Sequence, residues 1–481
     1  MQPTTYDVVV IGAGAVGENV LDRAIAGGLT AAVVEHELVG GECSYWACEP
    51  SKTLLRSGAA LRAAQRVPGA AEAVTGGLDA AAVLARRNAR VGDWDDTGQV
   101  RWVHGIGADL VRGHGRLDGP RRVRVAEPDG GQRVLEARHA VVVATGSTPE
   151  FPPIRGLDRA RPWTSREATS AQSVPGSLAI LGGGVVGCEM ATAWASLGSQ
   201  VTLLTRSGLL SKFEPFAAEA VADGLRALGV DVRTGCTPDA IARDDDDRVV
   251  LTLPDGAEVT ADELLVATGR RARTTDVGLE TVGLAPGEWI AVDDTLRATA
   301  DGLDWLYAVG DVTGRALFTH QGKYQARAAG DVIASRAAGG TPDTEPWGAH
   351  VATADHSAVP TVAFTEPEVA TVGLTAAEAA SRGVRARVVD YRLGWVAGAT
   401  AHADGYSGHA NLVVDEDRRV VVGATFVGQD VAELVHAATV AIVGEVPIDR
   451  LWHAVPAFPT MSEIWLRLLE AYGRPGFEGA A

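Results

Sequence analysis

DVVVIGAGAVG, residues 7–17, carries the strongest structural signal in this chain of 481 residues. The run that ends at Ile11 is short and apolar, which is typical of a buried parallel strand. A glycine turn follows, then a helix-like segment to about Ala26, then a second strand, residues 31–34, that ends at Glu35. This order predicts a βαβ unit of the kind that binds a dinucleotide.

The same pattern returns in the second third of the chain. Residues 178–181 form another apolar run and lead into Gly182, Gly184 and Gly187, with a helix-like segment and a strand after them. A glycine motif alone is weak evidence, but both copies follow a strand and open a helix, which is the required context. The chain is therefore predicted to contain two Rossmann-like units.

Two features of the first motif indicate which nucleotide it binds. Gly12, Gly14 and Gly17 permit a tight turn and let the backbone approach a pyrophosphate at the positive end of the helix dipole. Glu35 ends the second strand, where a carboxylate accepts hydrogen bonds from ribose hydroxyls. We predict that this site holds the ADP part of FAD; a glycine turn that binds nothing is the alternative.

The second motif differs at the position that corresponds to Glu35. Thr205 stands there, followed by Arg206, and Lys212 comes shortly afterwards. A carboxylate would repel a 2′-phosphate, whereas an arginine can bind one through two parallel hydrogen bonds. The sequence therefore favours NADPH over NADH at this site. Solvated surface charge is the alternative interpretation of Arg206.

A cysteine pair lies in GGECSYWACEPSK, residues 40–52. Four residues separate Cys43 from Cys48, so the two would lie on different faces of a regular helix. A disulfide between them needs a bent segment before the helix begins, and Pro50 suits the first turn of that helix. A thiol at a helix N-terminus has a lowered pKa. We predict a redox-active pair; a zinc site or two unrelated buried thiols are the alternatives.

Composition narrows the class of protein. A net charge of −18 argues against a nucleic-acid partner, since phosphate backbones are bound by clustered Lys and Arg. No run of 18 apolar residues occurs, so no membrane span is expected. No ligand cluster typical of a metal site accompanies the cysteines. Four cysteines in a chain of this length do not make a secreted disulfide scaffold, and a cytoplasmic location is expected.

The fold class predicted from these patterns is α/β, with two Rossmann-like dinucleotide-binding domains and a C-terminal α+β dimerisation domain. An FAD-binding domain is expected at 1–155, continued by 276–346. An NAD(P)-binding domain is expected at 156–275. Alternating apolar patterns in the last part of the chain predict a separate domain at 347–481.

Together these motifs resemble the flavoprotein pyridine-nucleotide disulfide reductases, such as glutathione reductase, dihydrolipoamide dehydrogenase and mercuric reductase. The resemblance covers nearly the whole chain in order. Besides the two glycine motifs it rests on the cysteine block and on four further segments: ATG at 144–146, ATG at 267–269, YAVGD at 307–311, and 364–374.

The resemblance implies a set of cofactor contacts. Gly310 and Asp311 would hold the ribityl and phosphate region of FAD. The two Ala-Thr-Gly turns, which contain Thr145, Gly146 and Gly269, would lie beside the nucleotides. The second nucleotide would be a pyridine nucleotide, for which Arg206 favours NADPH over NADH as argued above.

The resemblance also implies catalytic roles. Cys48 looks like the thiol on the flavin side, and Cys43 like the exposed thiol that attacks a small-molecule substrate. Lys52 and Glu189 look like the ion pair beside the flavin at the nicotinamide site. Members of this family are homodimers in which the C-terminal domain completes the active site of the partner.

One catalytic position departs from the family pattern. The family has His-Pro-Thr followed by Glu near the C-terminus, whereas this chain has AFPTMSE at residues 457–463. Glu463 is kept, but Phe458 stands where the catalytic histidine would be, and phenylalanine cannot transfer a proton. His453 and Tyr45 are candidates to replace that histidine, and a structural role for each is the alternative.

Three functional hypotheses follow. The first is an NADPH-dependent FAD enzyme that reduces a small disulfide through Cys43 and Cys48. The second is an NAD(P)H:acceptor reductase acting on a quinone, a dye or a metal ion, which would not need the missing histidine. The third is a flavoprotein that senses redox state or has a binding role. The intact cysteine motif favours the first, and Phe458 favours the second.

Overall fold

The computed structural model describes residues 2–474 of the chain. Its strands, labelled β1 to β21 in chain order, are Thr4–Ile11, Ala31–Glu35, Asp109–Arg112, His114–Leu117, Arg122–Ala126, Gln132–Val143, Ser147–Pro149, Ser177–Leu181, Gln200–Thr205, Asp231–Thr234, Ala240–Arg243, Val249–Thr252, Glu258–Ala261, Glu263–Val266, Arg270–Ala272, Leu306–Ala308, Thr361–Ala363, Glu368–Gly373, Ala386–Arg392, His409–Asp415 and Val420–Gly428.

The α-helices of the same described range are labelled α1 to α14 in chain order. They are Ala15–Ala26, Gly41–Tyr45, Cys48–Gln65, Ala80–Arg90, Thr97–Gly105, Ser165–Ser170, Val185–Ser196, Pro215–Ala227, Thr319–Ala337, Ala376–Ser381, Ala397–His402, Val435–Val443, Ile448–Leu451 and Ile464–Tyr472.

The described chain divides into two compact units. Unit 1 comprises Met1–Pro50, Asn88–Glu150 and Gly269–Asp355. Its main sheet has the order β3-β2-β1-β6-β5-β4, and β16 also pairs with β6. Parallel pairing joins β1 to β2, β1 to β6, β2 to β3 and β6 to β16. Strand β5 pairs antiparallel with β6, and β4 pairs antiparallel with β5. This is the parallel architecture that the run at residues 7–11 predicts.

Unit 2 comprises Ser51–Arg87, Phe151–Thr268 and the chain from His356 onward. It contains a parallel sheet of order β10-β9-β8-β14 and a three-stranded antiparallel sheet, β11-β12-β13. A five-stranded antiparallel sheet, β17-β18-β21-β20-β19, follows in its C-terminal part. The core of this unit packs around the fully buried Trp194 and Met190 of α7.

Glycines let α1 and α9 of unit 1 pack at close range. A Cβ atom at Gly322 would lie 2.5 Å from Cγ2 of Val16, and one at Gly330 would lie 2.5 Å from Cβ of Arg23. Both distances are too short for a real Cβ contact, so these positions exclude larger residues. The first turns of α1 and α9 are therefore held side by side.

The predicted α/β fold class is confirmed, including the two Rossmann-like sheets and the antiparallel sheet of the C-terminal part. The residue boundaries predicted for the three domains stay a prediction. Between residues 2 and 474, no helix is both long and apolar enough to cross a membrane.

Candidate active site

The first glycine loop has the shape that a bound pyrophosphate requires. Gly12 has a φ of +102°, and a Cβ atom there would lie 2.6 Å from the carbonyl oxygen of Ala144. At Gly17 a Cβ atom would lie 2.0 Å from the carbonyl oxygen of Gly12, so the turn and the helix start need glycine. At Gly14 the nearest heavy atom, Cα of Gly41, would be 4.0 Å away, which leaves the backbone open to a ligand.

Glu35 is fixed at the end of β2. Its Oε2 accepts a hydrogen bond of 2.8 Å from the backbone N–H of Ala13, and its Oε1 accepts one of 2.8 Å from that of Glu37. Nδ1 of His36 lies 3.2 Å from the same Oε1. These hydrogen bonds lower the pKa of Glu35 although burial acts to raise it. The carboxylate stays charged and retains acceptor capacity for ribose hydroxyls.

Gly310 and Asp311 lie in a 3-10 turn, Gly310–Thr313, directly after β16. The backbone N–H of Gly310 donates to Oε1 of Gln325 at 2.7 Å, and the hydroxyl of Ser147 donates to Oδ2 of Asp311 at 2.5 Å. Burial raises the pKa of Asp311, and the bond from Ser147 and the nearby charge of Arg270 oppose it. The turn is thus rigidly held by groups of its own unit.

The two Ala-Thr-Gly turns are also ordered by local contacts. The hydroxyl of Thr145 donates to the carbonyl oxygen of Arg273 at 2.8 Å. Gly146 has a φ of +74° and Gly269 a φ of +154°, values that L side chains rarely adopt. The turn at residues 144–146 lies in unit 1, whereas Ala267 and Thr268 end a segment of unit 2 and Gly269 begins a segment of unit 1.

The second glycine loop, in unit 2, repeats the geometry of the first. Gly182 has a φ of +117°, and a Cβ atom at Gly187 would lie 1.9 Å from the carbonyl oxygen of Gly182. Nothing lies within 4 Å of a Cβ atom at Gly184, where α7 begins. This loop too presents open backbone at a helix N-terminus.

The residues after β9 lie against this second loop. Thr205 ends the strand and is buried, and the backbone N–H of Leu210 donates to the carbonyl oxygen of Gly183 at 2.8 Å. Arg206 and Lys212 are both exposed. Thr205, and not a carboxylate, occupies the position that corresponds to Glu35.

The cysteine loop is joined to the first glycine loop. The backbone N–H of Gly40 donates to the carbonyl oxygen of Ala13 at 2.7 Å, and Gly14 and Gly40 form an isolated parallel bridge. A Cβ atom at Gly41 would lie 2.8 Å from Cα of Gly14. Gly40 and Gly41 have φ values of +112° and +59°. The double glycine is therefore required by a close approach of two backbones.

The two cysteines lie close together where two helices meet. Cys43 lies in the short helix α2, the chain breaks its helical course at Trp46, and Cys48 begins α3, with Pro50 in its first turn. Both are present as thiols. The hydroxyl of Thr319 lies 3.3 Å from Sγ of Cys48. A hydrogen bond with Cys48, and then burial, raise the pKa of the Cys43 thiol, while Thr319 opposes this rise.

Lys52 and Glu189 form the predicted ion pair within unit 2. Nζ of Lys52 lies 2.7 Å from Oε2 of Glu189, and the backbone N–H of Phe364 donates to Oε1 at 3.0 Å. The ammonium also lies 5.0 Å from the centre of the Phe364 ring. The Glu189 side chain is only 4% exposed. Both oxygens of this buried carboxylate are bound, one by the Lys52 ammonium and the other by the Phe364 N–H.

Phe458 and Glu463 belong to unit 2, whereas the cysteines belong to unit 1. The Phe458 side chain is exposed (76%) and is joined to Pro459 by a cis peptide bond. Glu463 is buried and accepts a hydrogen bond of 2.6 Å from Arg467, while its Oε2 has no hydrogen-bond partner among the described residues. His453 is exposed.

Sequence reasoning missed several residues that order this site. Thr319 contacts Cys48 from the start of α9, and Gln325 holds Gly310 from the same helix. Ser147 and Arg270 hold Asp311. None of these residues belongs to a recognisable local motif, because each reaches the site from a distant part of the chain.

Two open glycine loops and two adjacent thiols define a class of protein. Such a combination is typical of oxidoreductases that bind two nucleotide cofactors. Between residues 2 and 474, no group of three or more His, Cys, Asp or Glu could hold a metal ion.

Comparison with known proteins specifies the family. Residues 6–332 match the family model for pyridine nucleotide-disulphide oxidoreductases, and residues 359–468 match the dimerisation domain of the same family. The chain therefore belongs to the pyridine nucleotide-disulphide oxidoreductase family. Its members are enzymes that bind FAD and a pyridine nucleotide, and the open loop at Gly14 and the fixed carboxylate of Glu35 fit FAD.

Among curated relatives, the chain is 35% identical to a mercuric reductase of Streptomyces lividans over 468 residues, 96% of this chain and 94% of the relative. It is 30% identical to a dihydrolipoyl dehydrogenase of Halobacterium salinarum over 483 residues, 97% and 96% of the two chains. Among solved structures, the chain is similar to the Cu(II) complex of RclA, a HOCl-induced flavoprotein disulfide reductase from Escherichia coli. The two structures have a TM-score of 0.82 and 25% sequence identity, and the match covers 98% of this chain and 99% of RclA.

Proposed function

We propose that this protein is an NADPH-dependent FAD enzyme that passes electrons to the Cys43–Cys48 pair and from there to a small disulfide. The observation that carries the proposal is the contact between the Cys43 thiol in α2 and the Cys48 thiol at the start of α3, in a loop joined to the first glycine loop. Two neighbouring thiols in this loop support exchange chemistry over a packing role.

When bound, FAD would accept a hydride from the nicotinamide and pass the electron pair to the Cys43–Cys48 disulfide. The exchange that follows uses residues of this chain. The Cys43 thiolate attacks one sulfur of the substrate and forms a mixed disulfide, and the other half leaves as a thiolate that takes up a proton. Sγ of Cys48 then attacks Sγ of Cys43, re-forms the internal disulfide and releases the second half as a thiol. NADPH, one proton and the disulfide give NADP⁺ and two thiols.

Lys52 and Glu189 are proposed to order the nicotinamide end of the site. The short ion pair fixes the direction of the lysine side chain, and the ring of Phe364 supports its ammonium. Gly182, Gly184 and Gly187 are proposed to hold the pyrophosphate of the pyridine nucleotide.

Arg206 is proposed to bind the 2′-phosphate of NADPH, with Lys212 adding positive charge nearby. We expect an Arg206→Ala variant to show a KM for NADPH raised by roughly 10- to 100-fold, because a charge-assisted contact to phosphate is lost. The KM for NADH should stay within about twofold. Arg226→Ala is a matched control, since Arg226 is an exposed arginine of unit 2 that pairs with Asp223. An equal rise in the KM values for NADPH and NADH would show that Arg206 does not contact the 2′-phosphate.

A homodimer in the cytoplasm is part of the proposal. Residues 359–468 match the dimerisation domain of the family. Helix α12 in this segment exposes Val440 and Val443, an apolar surface suited to a second copy of the chain. Light scattering of the purified protein should therefore give about twice the 49.9 kDa mass of one chain.

A thiophilic metal ion is a second candidate acceptor. Phe458 removes the proton-transfer group that disulfide exchange uses in this family, whereas a pair of thiolates binds soft metal ions without a separate base. Several relatives are mercuric reductases, and the RclA structure is a Cu(II) complex. These observations favour Hg(II) or Cu(II) over a quinone.

Anaerobic titration with NADPH tests the Cys43–Cys48 relay, that is, the proposed transfer of electrons from the flavin to this cysteine pair. The oxidised enzyme should consume NADPH beyond the amount that reduces its flavin and gain two thiols per chain. A Cys43→Ser, Cys48→Ser double variant should gain none. Steady-state assays with a panel of disulfides, Hg(II) and Cu(II) then rank the acceptors. If NADPH reduces only the flavin and no thiol appears, the Cys43–Cys48 relay is wrong.

A further inference from the structure

A buried carboxylate, Asp355, belongs to the same hydrogen-bonded network as the turn Gly310–Thr313. Its side chain is only 1% exposed, and Nε of Arg315 lies 3.1 Å from its Oδ2. Arg315 is fixed in turn, because its Nη1 donates to the carbonyl oxygen of Asp293 at 3.0 Å and its Nη2 lies 2.7 Å from Oδ1 of Asp294. A charge is costly to bury unless it is paired and hydrogen-bonded, so the partners of Asp355 show what it holds in place.

Asp355 sets the orientation of the Gln325 amide, which is fully buried. Nε2 of Gln325 donates to Oδ2 of Asp355 at 2.9 Å, and Oε1 of Gln325 accepts from the backbone N–H of Gly310 at 2.7 Å. A carboxylate paired with an arginine only accepts hydrogen bonds, so the amide nitrogen must face Asp355 and the amide oxygen must face Gly310. A reversed amide would point its NH2 group at a second N–H donor.

The same carboxylate holds the start of α9. Oδ1 of Asp355 accepts a hydrogen bond of 2.8 Å from Nε2 of Gln321. Gln321 and Gln325 are four residues apart, so both lie on one face of the helix. Asp355 therefore ties the turn that precedes α9 to the first turns of α9 itself.

The turn also lies directly against the first glycine motif. A Cβ atom at Gly310 would lie 3.2 Å from Cγ1 of Val16, and one at Gly322 would lie 3.2 Å from Cα of Gly310. Val16 belongs to the motif whose open backbone is proposed to bind the pyrophosphate of FAD. Contacts this close leave the turn little room to shift, so its shape depends on the groups that hold it from behind.

We propose that Asp355 is a positioning residue for FAD, which acts by orienting Gln325 and so holding the Gly310 turn in the shape that binds the cofactor. Asp355 makes no contact with FAD in this account, since its effect passes through Gln325. The inference rests on the proposed placement of FAD against this turn. It does not depend on the electron acceptor or on the cysteine relay.

Reversing the direction of the hydrogen bonds tests this role. An Asp355→Asn variant keeps the shape of the side chain but presents an NH2 group where a carboxylate oxygen accepted a hydrogen bond. We expect its Kd for FAD to rise roughly 10- to 100-fold, the effect of one or two broken buried hydrogen bonds. The Kd is obtained by diluting the holoenzyme and recording the fluorescence of the released flavin.

A second substitution should rescue the first. Gln325→Glu alone places a carboxylate against Asp355 and should also weaken FAD binding. In the double variant, Asp355→Asn with Gln325→Glu, a donor again faces an acceptor and the N–H of Gly310 again has an oxygen partner. The double variant should therefore recover most of the wild-type affinity, as expected for two residues that act through one hydrogen bond.

Two further variants separate positioning from a loss of stability. Gln325→Met removes the acceptor of Gly310 but leaves the charge of Asp355 in place, and it should raise the Kd for FAD by a similar factor if Asp355→Asn does not fold. Asp331→Asn removes an aspartate of α9 that pairs with Arg23 at 2.6 Å, and its Kd should stay within about twofold of the wild type.

The outcomes are distinct. A lowered melting temperature with an unchanged Kd for FAD in Asp355→Asn and Gln325→Met would show a purely structural network and overturn the inference, as would a double variant that binds no better than either single variant. Neither NADPH nor a disulfide takes part in the measurement. Failure of the Cys43–Cys48 relay would therefore leave this result unaffected.

Discussion

A Cys48→Ser variant is expected to lose disulfide-dependent NADPH oxidation by on the order of 10⁴-fold or more, the scale of losing an essential nucleophile. In the proposed exchange, Sγ of Cys48 must resolve the mixed disulfide on Cys43, and a serine hydroxyl cannot. The first half of the substrate should still be displaced once per chain if the variant is reduced beforehand. Steady-state NADPH oxidation and mass spectrometry of the trapped adduct measure the two parts of this result.

Two further variants show whether the loss is specific. Cys236→Ser changes a thiol of unit 2 that the proposed chemistry does not use, and its turnover should stay within about twofold of the wild type. Cys43→Ser should prevent formation of any adduct. Full disulfide turnover by Cys48→Ser would show that electrons reach the substrate without the pair.

A Gly14→Ala variant is expected to bind FAD at least about 100-fold more weakly, a change of about 2.7 kcal/mol. The backbone at Gly14 has φ −71° and ψ 173°, which alanine adopts readily, and the nearest heavy atom would be 4.0 Å away. The protein should therefore fold normally. The added methyl group would project into the space proposed for the pyrophosphate, where the backbone must approach closely.

The matched comparison is with two other glycines of unit 1. Gly98→Ala, in α5 with no neighbour within 4 Å, should keep its FAD and gain about 0.5–1 kcal/mol of stability. Gly17→Ala should impair folding itself, since its Cβ atom would lie 2.0 Å from a carbonyl oxygen. FAD released from each purified variant and the melting temperature of each apoprotein distinguish these outcomes. A Gly14→Ala protein that retains tightly bound FAD would contradict the placement of the cofactor.

The sequence predicted the structure best at positions where only one kind of residue satisfies the local geometry or burial. Residues 8–11 of β1 are buried on both faces of the sheet, so continuous apolar residues identified the strand. The double glycine before Cys43 was recognisable because only glycine tolerates that close backbone approach. The family and the fold class could be predicted from such motifs, whereas the redox pairing of Cys43 with Cys48 stays a prediction.

Other elements gave no usable pattern. The strands β3 to β5 cover Asp109–Arg112, His114–Leu117 and Arg122–Ala126, and their exposed faces carry arginines that hide the alternation of buried valine and leucine. The contact of Thr319 with Cys48 was also hidden. It depends on the packing of α9 against a loop about 270 residues earlier in the chain, which no local motif encodes.

The close approach of Gly41 to Gly14 has a consequence for how this protein can be altered. Residues 13–14 and 40–41 meet backbone to backbone, so a shift in one loop displaces the other. A chimera could take its first glycine loop from one family member and its cysteine loop from another. Each of these loops would then face a loop other than the one that it contacts in its parent protein. Recombination and loop grafting should therefore move these two segments together, as a single module inherited from one parent.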